Sequence, residues 1–177
     1  MQRIIVIGTS CSGKTTLARK LAERLSIEHI EIDRINWLPD WQHLSSDELL
    51  AAMKRATEGD RWIVDGNYPS VREIVWPRAT HVVWLNYSFP RIFYRALSRT
   101  IRRVFTQEKL FAGNTESFVQ SFLTRDSILW WVLTTFRLYR HRYLKYRDER
   151  TYPNLEWIEL RHPREEEQFF AGLLRKP

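Results

Sequence analysis

An α/β fold built on a mostly parallel sheet is what this sequence predicts, and three observations predict it. Short apolar runs rich in β-branched residues recur along the chain, several of them stopping at a glycine or an aspartate. Segments of helical period separate these runs. The first run, Arg3 to Ile7, leads into Gly8 to Thr15, read Gly-Thr-Ser-Cys-Ser-Gly-Lys-Thr, a glycine loop between a strand and a helix.

Taken in order, Arg3 to Ile7 is the first strand, and a helix is expected from about Gly13 with Leu17, Leu21 and Leu25 on one face. His29 to Ile32 reads as a second strand closed by Asp33. Ser45 and Glu48 stand at capping-box spacing and open a helix to about Glu58. Arg61 to Val64 is a third strand ending in Asp65, and His81 to Leu85 a fourth. Pro90 suits the first turn of the helix after it. Helical periodicity then covers about Phe89 to Phe105 and about Glu116 to Tyr146, with a polar and mobile connection expected over Thr106 to Thr115. Leu155 to Leu160 is the fifth strand and Pro163 to Leu174 a closing helix. The length of 177 residues fits one domain, 1–177, with the helical region of about 89–150 as a lid.

Composition narrows the function classes. Hydrophobic content of 44% with 28% charged residues fits a globular chain rather than a disordered one. No uncharged apolar run reaches about eighteen residues, so no membrane span is expected. The apolar start is too short for a signal peptide, and a cytoplasmic location is expected. With a single cysteine, Cys11, neither an internal disulfide framework nor a cysteine-based zinc site can form. The five histidines show no paired metal spacing. The net charge of +7 is unevenly placed: Arg91 to Arg150 holds 13 Lys and Arg against 5 Asp and Glu, the rest of the chain 15 against 16. Such a block can face nucleic acid or the phosphates of a nucleotide and its acceptor, and charge alone does not choose.

The glycine loop carries the most specific chemistry. Gly8 to Thr15 matches G-x-x-x-x-G-K-[ST] in full, between a strand and a helix as the motif requires. Glycines let the backbone turn its N–H groups inward, and the helix adds its positive end. Gly8, Thr9, Ser10, Cys11, Ser12, Gly13, Lys14, Thr15 and Thr16 are the expected contacts to ATP or GTP. Lys14 reaches the outer phosphates and Thr15 offers a hydroxyl to Mg²⁺. Cys11 reads as a small residue at a variable loop position or as a reactive thiol at a helix start, and the first reading is the simpler.

Asp65, at the end of an apolar strand, is the second expected Mg²⁺ residue, because parallel sheets bind ligands beyond their strand ends. Asp33 reads as the cap of the next turn or as a base for an acceptor hydroxyl, and the second reading is preferred. Arg91, Arg95, Arg99 and Arg102 recur at spacings of four and three, one helix face whose mutual repulsion an anion would relieve. Arg95, Arg99 and Arg102, with Arg125 from the returning helix, are the candidates for stabilising a moving phosphoryl group. The basic, aromatic run Arg137 to Arg150 could bind nucleic acid by charge and stacking. Tyr139, Tyr143 and Tyr146 at helical spacing make a packed stripe with a basic outer face the preferred reading. Trp37 and the pair Trp130–Trp131 read as packing residues, the pair beneath the lid helices.

The segment Asp65-Gly66-Asn67-Tyr68-Pro69-Ser70-Val71-Arg72 resembles the Asp-Gly-Phe-Pro-Arg segment of adenylate kinases. The nearer resemblance is to a bacterial group of adenylate-kinase-related P-loop kinases labelled "DNA topology modulation protein". It rests on the loop, on Asp33 followed by Trp37, on Trp62 to Tyr68, and on the Arg-rich helix Arg91 to Arg103. The resemblance implies a three-layer P-loop NTPase of nucleoside-monophosphate-kinase type, with a five-stranded parallel sheet in the order 2-3-1-4-5 and a helical lid. It implies ATP and Mg²⁺ and transfer of the γ-phosphoryl group to a nucleotide or other small acceptor. Asn67 and Tyr68 replace the family's Phe and Pro, which leaves Arg72 as a substitute for the arginine that holds an acceptor phosphate. The group's label also implies an alternative, a nucleotide-dependent DNA-binding or topology-modulating regulator without kinase turnover.

Overall fold

In the computed structural model, described over residues 1–66, 68–115, 124 and 127–173, five parallel strands form one sheet in the order β2-β3-β1-β4-β5. The strands are β1 (Arg3–Gly8), β2 (His29–Glu31), β3 (Trp62–Asp65), β4 (His81–Leu85) and β5 (Glu156–Leu160). The helices are α1 (Lys14–Leu25), α2 (Ile32–Asn36), α3 (Ser46–Ala56), α4 (Pro69–Val75), α5 (Phe89–Thr106), α6 (Ile128–Asp148) and α7 (Pro163–Leu173). Pairing runs Val6 beside Asp65 and Val83, and Glu31 beside Asp65, so the C-terminal ends of β2 and β3 lie level, while β1 runs on to Gly8 beside Leu85.

Period-two alternation sorts the strand residues into two apolar layers. Ile5, Ile7, Ile30, Trp62, Val64, Val82 and Trp84 face Leu49 and Met53 of α3, Val71 and Val75 of α4, and Tyr139 and Tyr143 of α6. Ile4, Val6, Ile63, Val83 and Leu85 face Leu17, Ala18 and Leu21 of α1 and Ile92 and Ala96 of α5. The central strands are buried on both faces, which is why they read as continuous apolar runs. Helix α3 begins in a complete capping box: Ser45 and Glu48 each satisfy the other's backbone N–H.

Several details differ from the sequence reading. Strand β2 stops at Glu31, and Asp33 lies in the first turn of α2 rather than at a strand end. The close approach of Ile32 to Gly66 accounts for it: a Cβ on Gly66 would stand 2.9 Å from the Ile32 side chain, and Gly66 holds φ +139°. Ile32 is thus buried against the end of β3 and the chain turns there. Trp130 and Trp131 are each 47% exposed, not core residues. The inward stripe of α6 is Val132, Thr135, Phe136, Tyr139 and Tyr143, and the tryptophans fall outside it. The tyrosine stripe is packed as expected, with Tyr143 stacked on Tyr139 and against Trp84. The connection 107–115 is pinned by hydrogen bonds, as described below. The helix expected from Glu116 is described from Ile128 onward, and the rest of that expectation lies outside the described residues. Among the described residues, no helix is long and apolar enough to cross a membrane.

Candidate active site

The loop after β1 is shaped by residues with positive φ: Gly8 at 150°, Cys11 at 64° and Gly13 at 101°. At Gly8 a Cβ would meet Ser12 Oγ at 2.7 Å and the Leu85 carbonyl at 2.9 Å, so the loop starts where no side chain fits. Gly13 caps α1 without a side-chain hydrogen bond, leaving the first N–H groups of the helix open to a ligand. Ser12 Oγ is buried with no partner among the described residues. A glycine-shaped loop leading to an open helix start is the kind of backbone that phosphate oxygens can use.

Lys14 Nζ curls over the loop and donates to the Thr9 carbonyl at 3.3 Å. Burial pushes its ammonium below the ordinary value, and Asp33, Asp65 and Cys11 oppose that shift. Thr15 donates to Asp65 Oδ2 at 2.7 Å, with Glu31 Oε1 at 3.3 Å from the same hydroxyl. Asp65 is 2% exposed, and its other oxygen accepts from His29 Nε2 at 2.9 Å. Burial, Asp65 and Asp33 together raise the Glu31 carboxyl above its usual range. Opposite them, Tyr68 donates its hydroxyl to Asp33 Oδ1 at 2.6 Å, and Asn36 Nδ2 donates to the Tyr68 oxygen at 3.3 Å. Burial and Asp33 raise the Tyr68 phenol, which keeps it a donor.

The donor set suits a divalent cation that also binds phosphate. Carboxylates converge on the Thr15 hydroxyl and repel one another, which a cation would relieve. Among the described residues no three His, Cys, Asp or Glu side chains form a cage of their own. A hard cation here would therefore complete its shell with phosphate oxygens and water, the usual habit of Mg²⁺.

The arginine stripe divides. Arg95 Nη1 donates to the Ser12 carbonyl at 3.0 Å, which brings α5 against the loop. Arg99 is close enough to Lys14 to act on its charge, and its buried Nε has no partner among the described residues. Arg102 instead pairs with Glu108 at 2.9 Å, and Arg91 Nη2 lies 3.5 Å from His162 Nε2. Helical spacing identified the shared face but not which members reach the loop. Arg72 packs between α4 and α6: its guanidinium lies over Trp76 and Tyr146 and donates to the Tyr146 hydroxyl at 2.9 Å. Arg137 is exposed. Arg125 and Asn67 lie outside the described residues.

Glu31, His29, Tyr68 and Asn36 were not singled out from sequence as site residues. A signal for the first two was present: in a strand closing at this edge, His29 and Glu31 share the face opposite to buried Ile30.

The sheet order, the loop at the end of β1 and the Thr15–Asp65 contact define a P-loop NTPase of kinase-like fold. The chain belongs to the AAA domain family, whose model matches residues 4–111. Among solved structures, a gluconokinase from Sinorhizobium meliloti 1021 is similar, at 20% identity and a TM-score of 0.53 over 98% of this chain and 92% of that one. That likeness bears on the fold. No curated protein matches the chain.

Proposed function

We propose that the protein transfers the γ-phosphoryl group of ATP to a hydroxyl of a small-molecule acceptor. The observation that carries this is the meeting of Lys14, Thr15 and Asp65 with Asp33 at one sheet edge, under Arg95 and Arg99 of α5. A triphosphate lies along Gly8 to Thr16 with its outer phosphates on Lys14. Thr15 and Asp65, with Glu31 beside them, are the residues that would hold Mg²⁺, which when bound neutralises phosphate charge and orients the β- and γ-oxygens.

Asp33 faces the acceptor. Tyr68 fixes one of its carboxylate oxygens, leaving the other to take the acceptor's proton. The acceptor oxygen forms a bond to the γ-phosphorus, the bond from that phosphorus to the β,γ-bridging oxygen breaks, and ADP leaves. Arg95 and Arg99 stabilise charge on the moving group, with Arg102 and Arg125 as further candidates. Such transfer depends on positioning and electrostatics, so a site without a protein nucleophile suffices. GTP is the alternative donor, and a nucleotide, a sugar or a sugar acid such as the fold neighbour's name suggests are acceptors to try.

The test is a purified-protein assay with labelled Mg-ATP and a broad panel of alcohols, sugar acids and nucleoside monophosphates. Acceptor-dependent release of ADP, sharply lowered in Asp33→Asn, is expected. No labelled product with any acceptor overturns the reading.

A further inference from the structure

The connection after α5 carries one buried residue among exposed and half-buried ones. Asn114 is 8% exposed, while Ala112, Gly113 and Thr115 are exposed. A tight turn holds its backbone: Gly113 N–H donates to the Leu110 carbonyl at 3.0 Å and Leu110 N–H to the Asn114 carbonyl at 2.7 Å. Its side chain uses both ends of the amide on a distant segment. Nδ2 donates to the Leu38 carbonyl at 2.8 Å, and Oδ1 accepts from Trp41 N–H at 3.2 Å. A carbonyl on one side and an N–H on the other fix the amide's orientation. Trp41 Nε1 adds a bond to the Thr115 carbonyl at 3.3 Å.

The clasped segment is the turn that follows Asp33 and α2. Leu38 N–H donates to the Gln42 carbonyl at 2.8 Å and Leu44 N–H to the Asn36 carbonyl at 3.0 Å, so this turn is one unit with α2. Asp40 and Trp41 both hold positive φ, 58° and 55°, a conformation side-chain-bearing residues keep only when their surroundings impose it. The other end of the clasp is equally fixed. Arg102 pairs with Glu108 at 2.9 Å, and Gln107 Nε2 donates to the Val104 carbonyl at 2.7 Å, tying the connection to the last turn of α5. Helix α5 in turn carries Arg95 on the loop carbonyl of Ser12 and Arg99 beside Lys14. A continuous set of contacts thus runs from the P-loop along α5 to the turn that follows Asp33, a route along which the two sites can couple.

We propose that Asn114 is a positioning residue that holds the Asp33 segment to α5, so that seating phosphates on the P-loop also orders the acceptor side. The proposal rests on the donor and acceptor sides assigned above, but its test needs neither an acceptor nor turnover. Amide hydrogen exchange is measured with and without a non-hydrolysable ATP analogue and Mg²⁺. In the wild-type chain the analogue slows exchange both in residues 8–16 and in residues 34–44. In Asn114→Ala, and in Asn114→Asp, which keeps an acceptor but loses the donor to Leu38, analogue affinity stays within about twofold because the Asn114 amide bonds Leu38 and Trp41 rather than the loop. Protection of residues 8–16 persists in both variants, and the added protection of residues 34–44 disappears.

The proposal is overturned if residues 34–44 gain the same protection in the variants. It is also overturned if they gain none in the wild type, or if the variants lose protection everywhere, which marks Asn114 as merely structural. Failure of the kinase reading would show separately, as analogue binding and coupled protection without transfer to any acceptor.

Discussion

In the proposed reading, the donor side of the site is made chiefly of backbone, and the acceptor side of side chains on short helices. Gly8, Gly13 and the loop between them leave open N–H groups at the start of α1, and their shape follows from positive φ and from close approach to Leu85 and Arg95. The Asp33 side has no such frame. Asp33 sits on the five-residue helix α2, with the Tyr68 hydroxyl from the loop after β3 on its carboxylate, and Asn114 from the connection after α5 bonds the turn that follows α2. A backbone cradle recognises what all nucleoside triphosphates share, whereas side chains gathered from three segments can change with the acceptor. The two halves should therefore fail differently when mutated.

The largest separation is expected between Lys14→Ala and Asp33→Asn. Removing Lys14 takes a charge from the transferring phosphates and should lower transfer on the order of 10²–10³-fold, with weaker nucleotide binding by calorimetry. Asp33→Asn should lower transfer comparably and leave nucleotide binding intact. Next, Gly8→Ala should cost about 1–3 kcal/mol of stability, since the Cβ meets a backbone carbonyl that cannot move aside. Gly13→Ala should cost less in packing, since the nearest atom is the flexible end of Arg95; thermal melts of the two variants check this. Within the arginine stripe, Arg95→Ala should reduce transfer about tenfold, as loss of one charge-assisted contact does. Arg102→Ala, already paired with Glu108, should change it less; steady-state rates of both variants decide. The smallest effect lies away from both halves. Ser45→Ala should cost about 1 kcal/mol through the lost cap of α3, read by chemical denaturation. Ser45's hydroxyl and backbone N–H hold the Glu48 carboxyl below its usual value. Only the Glu48 carboxylate's half of the box titrates: it is fully present above the ordinary carboxyl range and is lost as pH falls through the lowered value.

The same contrast explains what the sequence made legible. Gly8 to Thr15 could be read because glycines, lysine and threonine at fixed spacing leave few other structures, and Asp65 because it ends a buried strand. The strand order came with the resemblance, and the sheet agrees with it. Asp33 was identified but placed on a strand end, because local pattern does not reveal that Ile32 packs under Gly66 and turns the chain into α2. Helical spacing put four arginines on one face, yet only packing shows that Arg95 meets the loop while Arg102 turns to Glu108. Tyr68 and Asn114 work through partners 35 and 76 residues away, and no local pattern encodes such contacts. The tryptophans at 130 and 131 misled because size suggests burial, whereas the inward stripe of α6 is set by Val132 and the residues in register with it.

The central claim is that one edge of the sheet holds a triphosphate on Lys14 and an acceptor on Asp33. Its most direct test is Mg-ATP binding by calorimetry, paired with acceptor-dependent ADP release, in the wild type, Lys14→Ala and Asp33→Asn. The account predicts that Lys14→Ala weakens Mg-ATP binding and slows transfer, and that Asp33→Asn binds Mg-ATP like the wild type while transfer falls on the order of 10²–10³-fold. Wild-type transfer surviving in Asp33→Asn, or equal loss of nucleotide binding in the two variants, would contradict it.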